Sequence, residues 1–303
     1  MKSRLGIDLG VRELKIVQGD GRRLTRHVEV PLPEGAVQDG VPTPLLTAAL
    51  RGAIEESGID ARIARIAIAD AGVAVRDFSL PQVPDRELGA AVAFESRRLV
   101  PMDANDVYYA WHAQRAGAGY AVYLVAARRD MIDAIQAAVS AAGLQVERID
   151  LKPLALARGA GASDGMVLEW GASEATLVLM VGGRPRFFRT FLLDAPSGEV
   201  DAQLDELAFS LNTLVRFMRT VAPDAAIGPT TPLFIAGRIA FIEDGVARAQ
   251  RRFDFAVRLP APRVVCAPDF PWQAHLAGLG LLQQAGWRDR LISSQGGDVR
   301  VAA

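Results

Sequence analysis

The chain repeats itself. Leu5–Val30 (LGIDLGVRELKIVQGDGRRLTRHVEV) aligns without a gap on Met166–Phe191 (MVLEWGASEATLVLMVGGRPRFFRTF), a shift of 161 residues. Asp8 falls on Glu169, Gly10 on Gly171, Val17 on Val178 and Gly21 on Gly182. Each copy reads as strand, tight turn, strand, glycine-rich turn, strand. The turns are Asp8-Leu9-Gly10 and Gly19-Asp20-Gly21 in one, Glu169-Trp170-Gly171 and Gly182-Gly183 in the other. Glycine at these places predicts the positive φ that hairpin turns use. A supersecondary unit recurring at a fixed offset restricts the fold to a duplicated one.

Each copy continues into a helix and another strand. Leu46, Leu50, Ala53 and Ile54 keep helical spacing, Gly58 closes that helix, and Arg65–Asp70 alternates as a strand. In the second copy the spacing predicts a helix over Val200–Met218, with Leu204, Leu207, Leu211, Leu214 and Phe217–Met218 on one face, ended by Pro223. Leu233–Ala236 is the next strand. Strand-strand-strand-helix-strand, twice, is an α/β duplication.

Between the copies, Val75–Leu80 reads as a strand and Pro84–Leu99 as a helix stopped by Pro101. Val107–Gln114 and Tyr120–Ala127 read as strands around the Gly117–Gly119 turn. Asp130 is expected to cap a helix carrying Ile132, Ile135 and Val139, which Gly143 ends before a last strand, Leu144–Asp150. The expected organisation is a first lobe at 1–74, completed by 151–165 and a helix at 272–286. A β-α-β-β-α-β insert occupies 75–150, a second lobe 166–270, and a disordered polar tail 291–303.

With 303 residues, half of them hydrophobic, the chain can supply the cores of two modest domains. A net charge of −1 gives no basic surplus for nucleic acid. The single cysteine, Cys266, excludes an internal disulfide and reads as a small core residue. The start, Met1-Lys2-Ser3-Arg4 running into Leu5-Gly6-Ile7-Asp8, does not read as a signal peptide. No stretch approaches the roughly 18 apolar residues that span a bilayer. A soluble cytoplasmic protein, with no membrane insertion of its own, is expected. His27, His112 and His275 have no ligand spacing, so no metal site is expected. G-x-S-x-G, H-E-x-x-H and Walker patterns are absent. Tyr108, Tyr109, Trp111, Tyr120 and Tyr123 gather on two paired strands, where core packing is the first reading and a partner groove the second. Arg97-Arg98 reads as a solvated helix face.

Two acid-x-glycine hairpins in a duplicated α/β chain can clamp nucleotide phosphates with backbone N–H groups while acids hold Mg²⁺ through water. Here the chain resembles the PilM family of type IV pilus assembly proteins, in the actin-like superfamily that also holds FtsA. The stretches that carry the likeness are Gly6-Ile7-Asp8-Leu9-Gly10 with Lys15, and Val83–Leu88 through Phe94-Glu95 to Val100-Pro101. Ile149–Ala157 and Gly171-Ala172 through the Gly182-Gly183 hairpin complete them. The resemblance implies a duplicated actin-like, ribonuclease H-like two-lobed fold. It places Asp8, Gly10, Lys15, Glu169, Gly171, Ser173 and Gly237 at nucleotide-binding positions.

The pattern is eroded there. Val11-Arg12-Glu13 stands where small hydroxyl residues are usual, and Glu174 brings a carboxylate to the second loop. Lys152-Pro153 replaces an acid-proline pair that helps hold the metal, and Ala236-Gly237-Arg238-Ile239 replaces a triple glycine at the adenosine. A helical subdomain over the adenine is missing between Leu193 and Val200. The expectation is weak or no binding of ATP and Mg²⁺, no hydrolysis and no required cofactor, with Asp8 and Glu169 as turn acids that satisfy their own backbone. No catalytic residue is assigned.

The resemblance implies a scaffold, peripheral to the inner membrane. It would grip the short N-terminal cytoplasmic peptide of a single-pass PilN-like partner in a groove between the first lobe and the insert. Its contact residues are unassigned, and self-association stays open. The alternatives are an active actin-like ATPase, a sugar-kinase-like enzyme, and a scaffold like GspL of type II secretion.

Overall fold

The computed structural model describes residues 3–221, 227–261, 264–283, 290–292 and 301–302. Contacts divide the chain into two compact units. The first is Met1–Asp20, Arg26–Leu151 and Gln284–Ala303; the second is Gly21–Thr25 and Lys152–Gln283.

The chain opens with β1 (Arg4–Leu9), β2 (Glu13–Gly19) and β3 (Leu24–Pro31), followed by the two-residue strands β4 (Val37–Gln38) and β5 (Val41–Pro42). Then come α1 (Pro44–Ser57), β6 (Ile63–Ile68), β7 (Val73–Pro81), α2 (Asp85–Leu99), β8 (Val107–Ala116), β9 (Gly119–Arg128), α3 (Arg129–Ala141) and β10 (Gln145–Leu151). α1 buries Leu46, Leu50, Ala53 and Ile54 and ends at Gly58, whose φ is 66°. Strand β1 is buried along nearly its whole length, Gly6 and Asp8 included, although Leu5, Ile7 and Leu9 alternate with them in sequence.

The main sheet of the first unit has the order β10-β6-β1-β2-β3, with β1 parallel to β6 and antiparallel to β2. The second sheet, β8-β9-β7, carries α2 on one face, where Val92 and Val100 pack with Trp111, Tyr120, Val122 and Leu124. The element order between the lobes is the expected β-α-β-β-α-β, but the pairing narrows the inserted part. β10 hydrogen-bonds to β6, not to β7 or β9, and α3 packs on α1 and β10. The added sheet is thus β7–β9 with α2, while α3 and β10 complete the lobe. Asp130 is not the cap of α3: Arg128 holds that place, and the Asp130 carboxylate accepts from Met131 N within the first turn.

The second unit runs α4 (Lys152–Ala160), β11 (Gly165–Trp170), β12 (Glu174–Val181), β13 (Arg184–Leu192), α5 (Val200–Val221), β14 (Pro232–Gly237), α6 (Gly245–Gln250), β15 (Ala256–Arg258) and α7 (Leu276–Leu282). Its sheet order, β15-β14-β11-β12-β13, repeats that of the first unit strand for strand. The duplication extends to register. Leu5 pairs with Gln18, and 161 residues later Met166 pairs with Leu179. Gly10 N donates to Glu13 O at 3.0 Å, and Gly171 N donates to Glu174 O at 2.9 Å. The left-handed φ falls at Gly21, Gly182 and Gly183, not at Gly10 or Gly171, so only the second turn of each copy uses glycine as expected.

α5 lays Leu204, Leu207, Leu211, Val215 and Met218 on Leu168, Trp170, Leu177 and Ile235. Each such side chain stabilises by about 1.5–3 kcal/mol. Phe217, expected on that face beside Met218, is instead exposed. Contacts group 152–165 and 272–283 with this unit, since α4 packs on β11, β12 and α7. At the α4–α7 crossing a Cβ on Gly280 would lie 1.7 Å from Ala155 O, and one on Gly159 would lie 2.3 Å from Leu276 O. The two backbones touch. Pro223 lies outside the described residues, as does most of the 291–303 tail. Of the C-terminal segment, Arg290–Ile292 pairs with β8 as β16, and Val301–Ala302 pairs with β10 as β17.

Candidate functional site

The β1–β2 turn holds the first set of expected residues, Asp8, Gly10 and Lys15. Leu32 N donates to Arg12 O at 2.8 Å, so the loop backbone is tied on its outer side as well as across the hairpin. Asp8 and Lys15 are register partners and both are buried. Lys15 Nζ reaches Glu13 Oε1 at 2.9 Å, so its charge already faces the turn's own acid. Val11 and Arg12 point to solvent.

The β11–β12 turn repeats that backbone. Leu193 N donates to the carbonyl of half-buried Ser173 at 2.9 Å, as Leu32 does to Arg12. The chemistry differs. Glu169, Glu174 and Lys152 are all buried. Lys152 Nζ lies 2.8 Å from Glu169 Oε2 and 3.5 Å from Glu174 Oε1. Local structure sets this up: Lys152 opens α4, Glu169 stands on β11 across from Thr176, and Glu174 is the first residue of β12. A buried ammonium is tolerated only where carboxylates face it, and two buried carboxylates need a cation between them. Lys152 and Glu174, which read as separate departures in sequence, form one ionic cluster with Glu169. Mg²⁺ requires a near-octahedral shell of oxygens and water. With an ammonium already seated on both carboxylates, a divalent cation does not fit the second hairpin. Among the described residues no group of three His, Cys, Asp or Glu could hold a metal ion.

Gly237 ends β14 beside Trp170. Its φ is 83°, and a Cβ there would lie 2.2 Å from Trp170 O, so packing alone demands glycine. The next side chain, Arg238, donates to Gln203 Oε1 at 2.7 Å and to Ser197 O at 2.5 Å, with its guanidinium 5.5 Å from the Trp170 ring. Gln203 also accepts from Trp170 Nε1 at 2.9 Å, and it donates to Ala172 O at 3.0 Å and Ala195 O at 2.8 Å. This fully buried glutamine was not legible as a hub. The available signal was a polar residue immediately before Leu204 on the apolar face of α5. Arg238 fastens the short 193–199 connection to α5 through Ser197 and Gln203.

The inserted sheet resolves the aromatic cluster mostly as core. Trp111, Tyr120 and Tyr123 are buried, and Tyr108 and Tyr109 are half-buried. Burial, with Asp77 and Asp150 nearby, pushes the Tyr123 hydroxyl far above its ordinary range. On α2, Phe94 is 73% exposed, beside the Glu95–Arg98 ion pair. Cys266 is half-buried, not fully buried as expected, and burial pushes its thiol up.

Two three-stranded meanders, each continued by helix, strand, helix and strand in the same sheet order, define a duplicated protein of the actin-like class. Residues 6–181 match the family described as type IV pilus assembly protein PilM, and the chain belongs to that family. It is similar to the solved structure titled "PilM-PilN type IV pilus biogenesis complex", with 20% identity, a TM-score of 0.72, and 92% of this chain and 97% of the other covered. It is also similar to the ethanolamine utilization protein EutJ of Carboxydothermus hydrogenoformans, at 14% identity and TM-score 0.55, covering 93% of this chain and 89% of that one. The cytoplasmic domain of EpsL, an inner membrane component of the Vibrio cholerae type II secretion system, matches at 14% identity and TM-score 0.54, covering 94% and 97%. No curated protein matches the sequence. Among the described residues no helix is long and apolar enough to cross a membrane.

Proposed function

We propose that the chain is a type IV pilus scaffold that grips the short N-terminal cytoplasmic peptide of a PilN-like, single-pass inner-membrane protein, without turning over ATP. The partner holds it at the membrane face of the cytoplasm. The observation that carries this reading is the family match over residues 6–181, which spans both the first lobe and the inserted sheet. The similar structure at TM-score 0.72 is a complex with PilN. Phe94, exposed on α2 beside the Glu95–Arg98 ion pair, would supply an apolar anchor for such a peptide. One peptide binds with a Kd on the order of micromolar, because a small contact must offset the ordering of a flexible segment. Co-purification with the partner tests this. Phe94→Ser should lose the partner while keeping the fold, and equal recovery would move the groove elsewhere.

The absence of turnover rests on the Lys152 cluster and on Arg238. Calorimetry with Mg-ATP should register no low-micromolar binding, and Arg12→Ser with Glu174→Thr should not create it while Lys152 remains. Tight binding by the wild type would favour the active-ATPase reading instead.

A further inference from the structure

β13 is the outer strand of the second unit's sheet and, among the described residues, pairs on one side only, with β12. It reads Arg184-Pro185-Arg186-Phe187-Phe188-Arg189-Thr190-Phe191-Leu192. Such an edge presents backbone N–H and C=O groups that another strand can use. Next to it, α5 exposes Phe209 by 70% and Phe217 by 53%. Phe187, Arg189 and Phe191 of β13 and Phe209, Leu214 and Phe217 of α5 line a groove of about 500 Å³. The Phe187 and Phe217 rings meet edge to face, with centroids 6.4 Å apart. Phe209 and Phe217 lie two turns apart, on a different stripe of α5 from the leucines that hold it to the sheet. Folding of the unit therefore leaves them uncovered, and exposed aromatics of this size mark contact surfaces.

We propose that this groove receives an extended segment of a partner protein, added to β13 as a further strand, in which apolar residues alternate with carboxylates. A strand turns every second side chain to one face, so its apolar residues would meet the phenylalanines while its backbone meets the edge. The charge is set by Arg189, the one ionisable side chain among the described residues lining the groove. Arg186 on the strand and Arg216 on the helix are exposed close by in sequence. A second copy of the chain does not suit. Two β13 strands paired antiparallel bring three arginines from each copy onto one ribbon, and like charges across a ladder repel. The groove lies within the second unit and is independent of the insert.

The test uses the full chain and a labelled peptide of about eight residues alternating valine with glutamate, a typical strand length. Controls replace glutamate by lysine, or methylate alternate backbone nitrogens. Fluorescence anisotropy should report saturable binding of the glutamate peptide and none of either control. Arg189→Glu should weaken binding roughly tenfold or more through charge reversal. Phe209→Ser with Phe217→Ser should do the same. Both rings are exposed, so circular dichroism should report an unchanged fold. No binding of the glutamate peptide overturns the proposal, as does equal binding of the lysine or methylated peptide. A wild-type dimer that Phe217→Ser converts to monomer would assign the groove to self-association and overturn it as well.

Discussion

The two hairpins share a backbone and differ in what they do with charge. In both, the turn closes through the same hydrogen bond, from the glycine N–H to the backbone carbonyl of Glu13 or Glu174, and is tied to a leucine 22 residues beyond that glycine, Leu32 or Leu193. The first copy keeps its lysine on the hairpin, paired locally with Glu13 at a turn whose tip is exposed. The second copy has no lysine there; it has Thr176, bonded to Thr190 at 3.1 Å. Its cation comes instead from α4, where Lys152 bridges Glu169 and Glu174 in the interior. Strand pairing fixes one backbone geometry in both turns, and the side chains placed on it do different electrostatic work.

The largest expected effect breaks that contrast directly. Lys152→Met strands two buried carboxylates and should cost about 3–5 kcal/mol in urea unfolding. Lys15→Met, which removes a buried ammonium from the partly exposed Glu13, should cost less, about 1–3 kcal/mol. Adding Glu169→Gln and Glu174→Gln to Lys152→Met should recover much of the loss, and equal costs for the two lysines would erase the distinction.

A second contrast lies one strand over. Trp170 neighbours Gly237, while the equivalent Leu9 neighbours Ile68. Gly237→Ala forces a Cβ into a backbone carbonyl at positive φ and should cost about 2–4 kcal/mol. At Ile68, buried and branched, the harm runs the other way: Ile68→Ala removes volume and should also cost about 2–4 kcal/mol. Thermal melts of the two variants check this, and a neutral Gly237→Ala would free that position for a ligand role.

The smallest effect concerns β10 and its counterpart β15. Glu147 on β10 binds Arg4 on β1 at 2.9 Å and also Arg65 on β6, whereas β15, in the matching place, is Ala256-Val257-Arg258 and has no acid. Burial pushes the Glu147 carboxyl up, but Arg65 and Arg4 together hold it below the ordinary 4.5. A lowered folded-state value means stabilisation that is full above the unfolded pKa and lost as pH falls through the folded one. The stability gap between wild type and Glu147→Gln should be up to about 1 kcal/mol at neutral pH. It should close below the ordinary carboxylate range, and a gap independent of pH would deny the carboxylate this role.

The duplication was legible because turn glycines and strand spacing are local signals that survive at a fixed offset. The buried face of α1 was legible for the same reason. What sequence concealed was long-range. Nothing in Gln145–Leu151 says that its neighbour is Ile63–Ile68 and not the strands just before it. Lys152 and Glu174 are 22 residues apart and read as unrelated losses until packing joins them. Phe217 was misplaced because neighbouring residues on a helix differ by about 100°. The stripe through Leu211 and Val215 reaches Met218 and leaves Phe217 outside.

The glycine seam between α4 and α7 has a mechanical consequence. α4 is where the chain enters the long segment of the second unit, and α7 is where it leaves. Since the two helices meet backbone to backbone, entrance and exit are buckled to each other, and the segment is closed like a bag at its neck. One methyl group at Gly280 would hold the neck ajar.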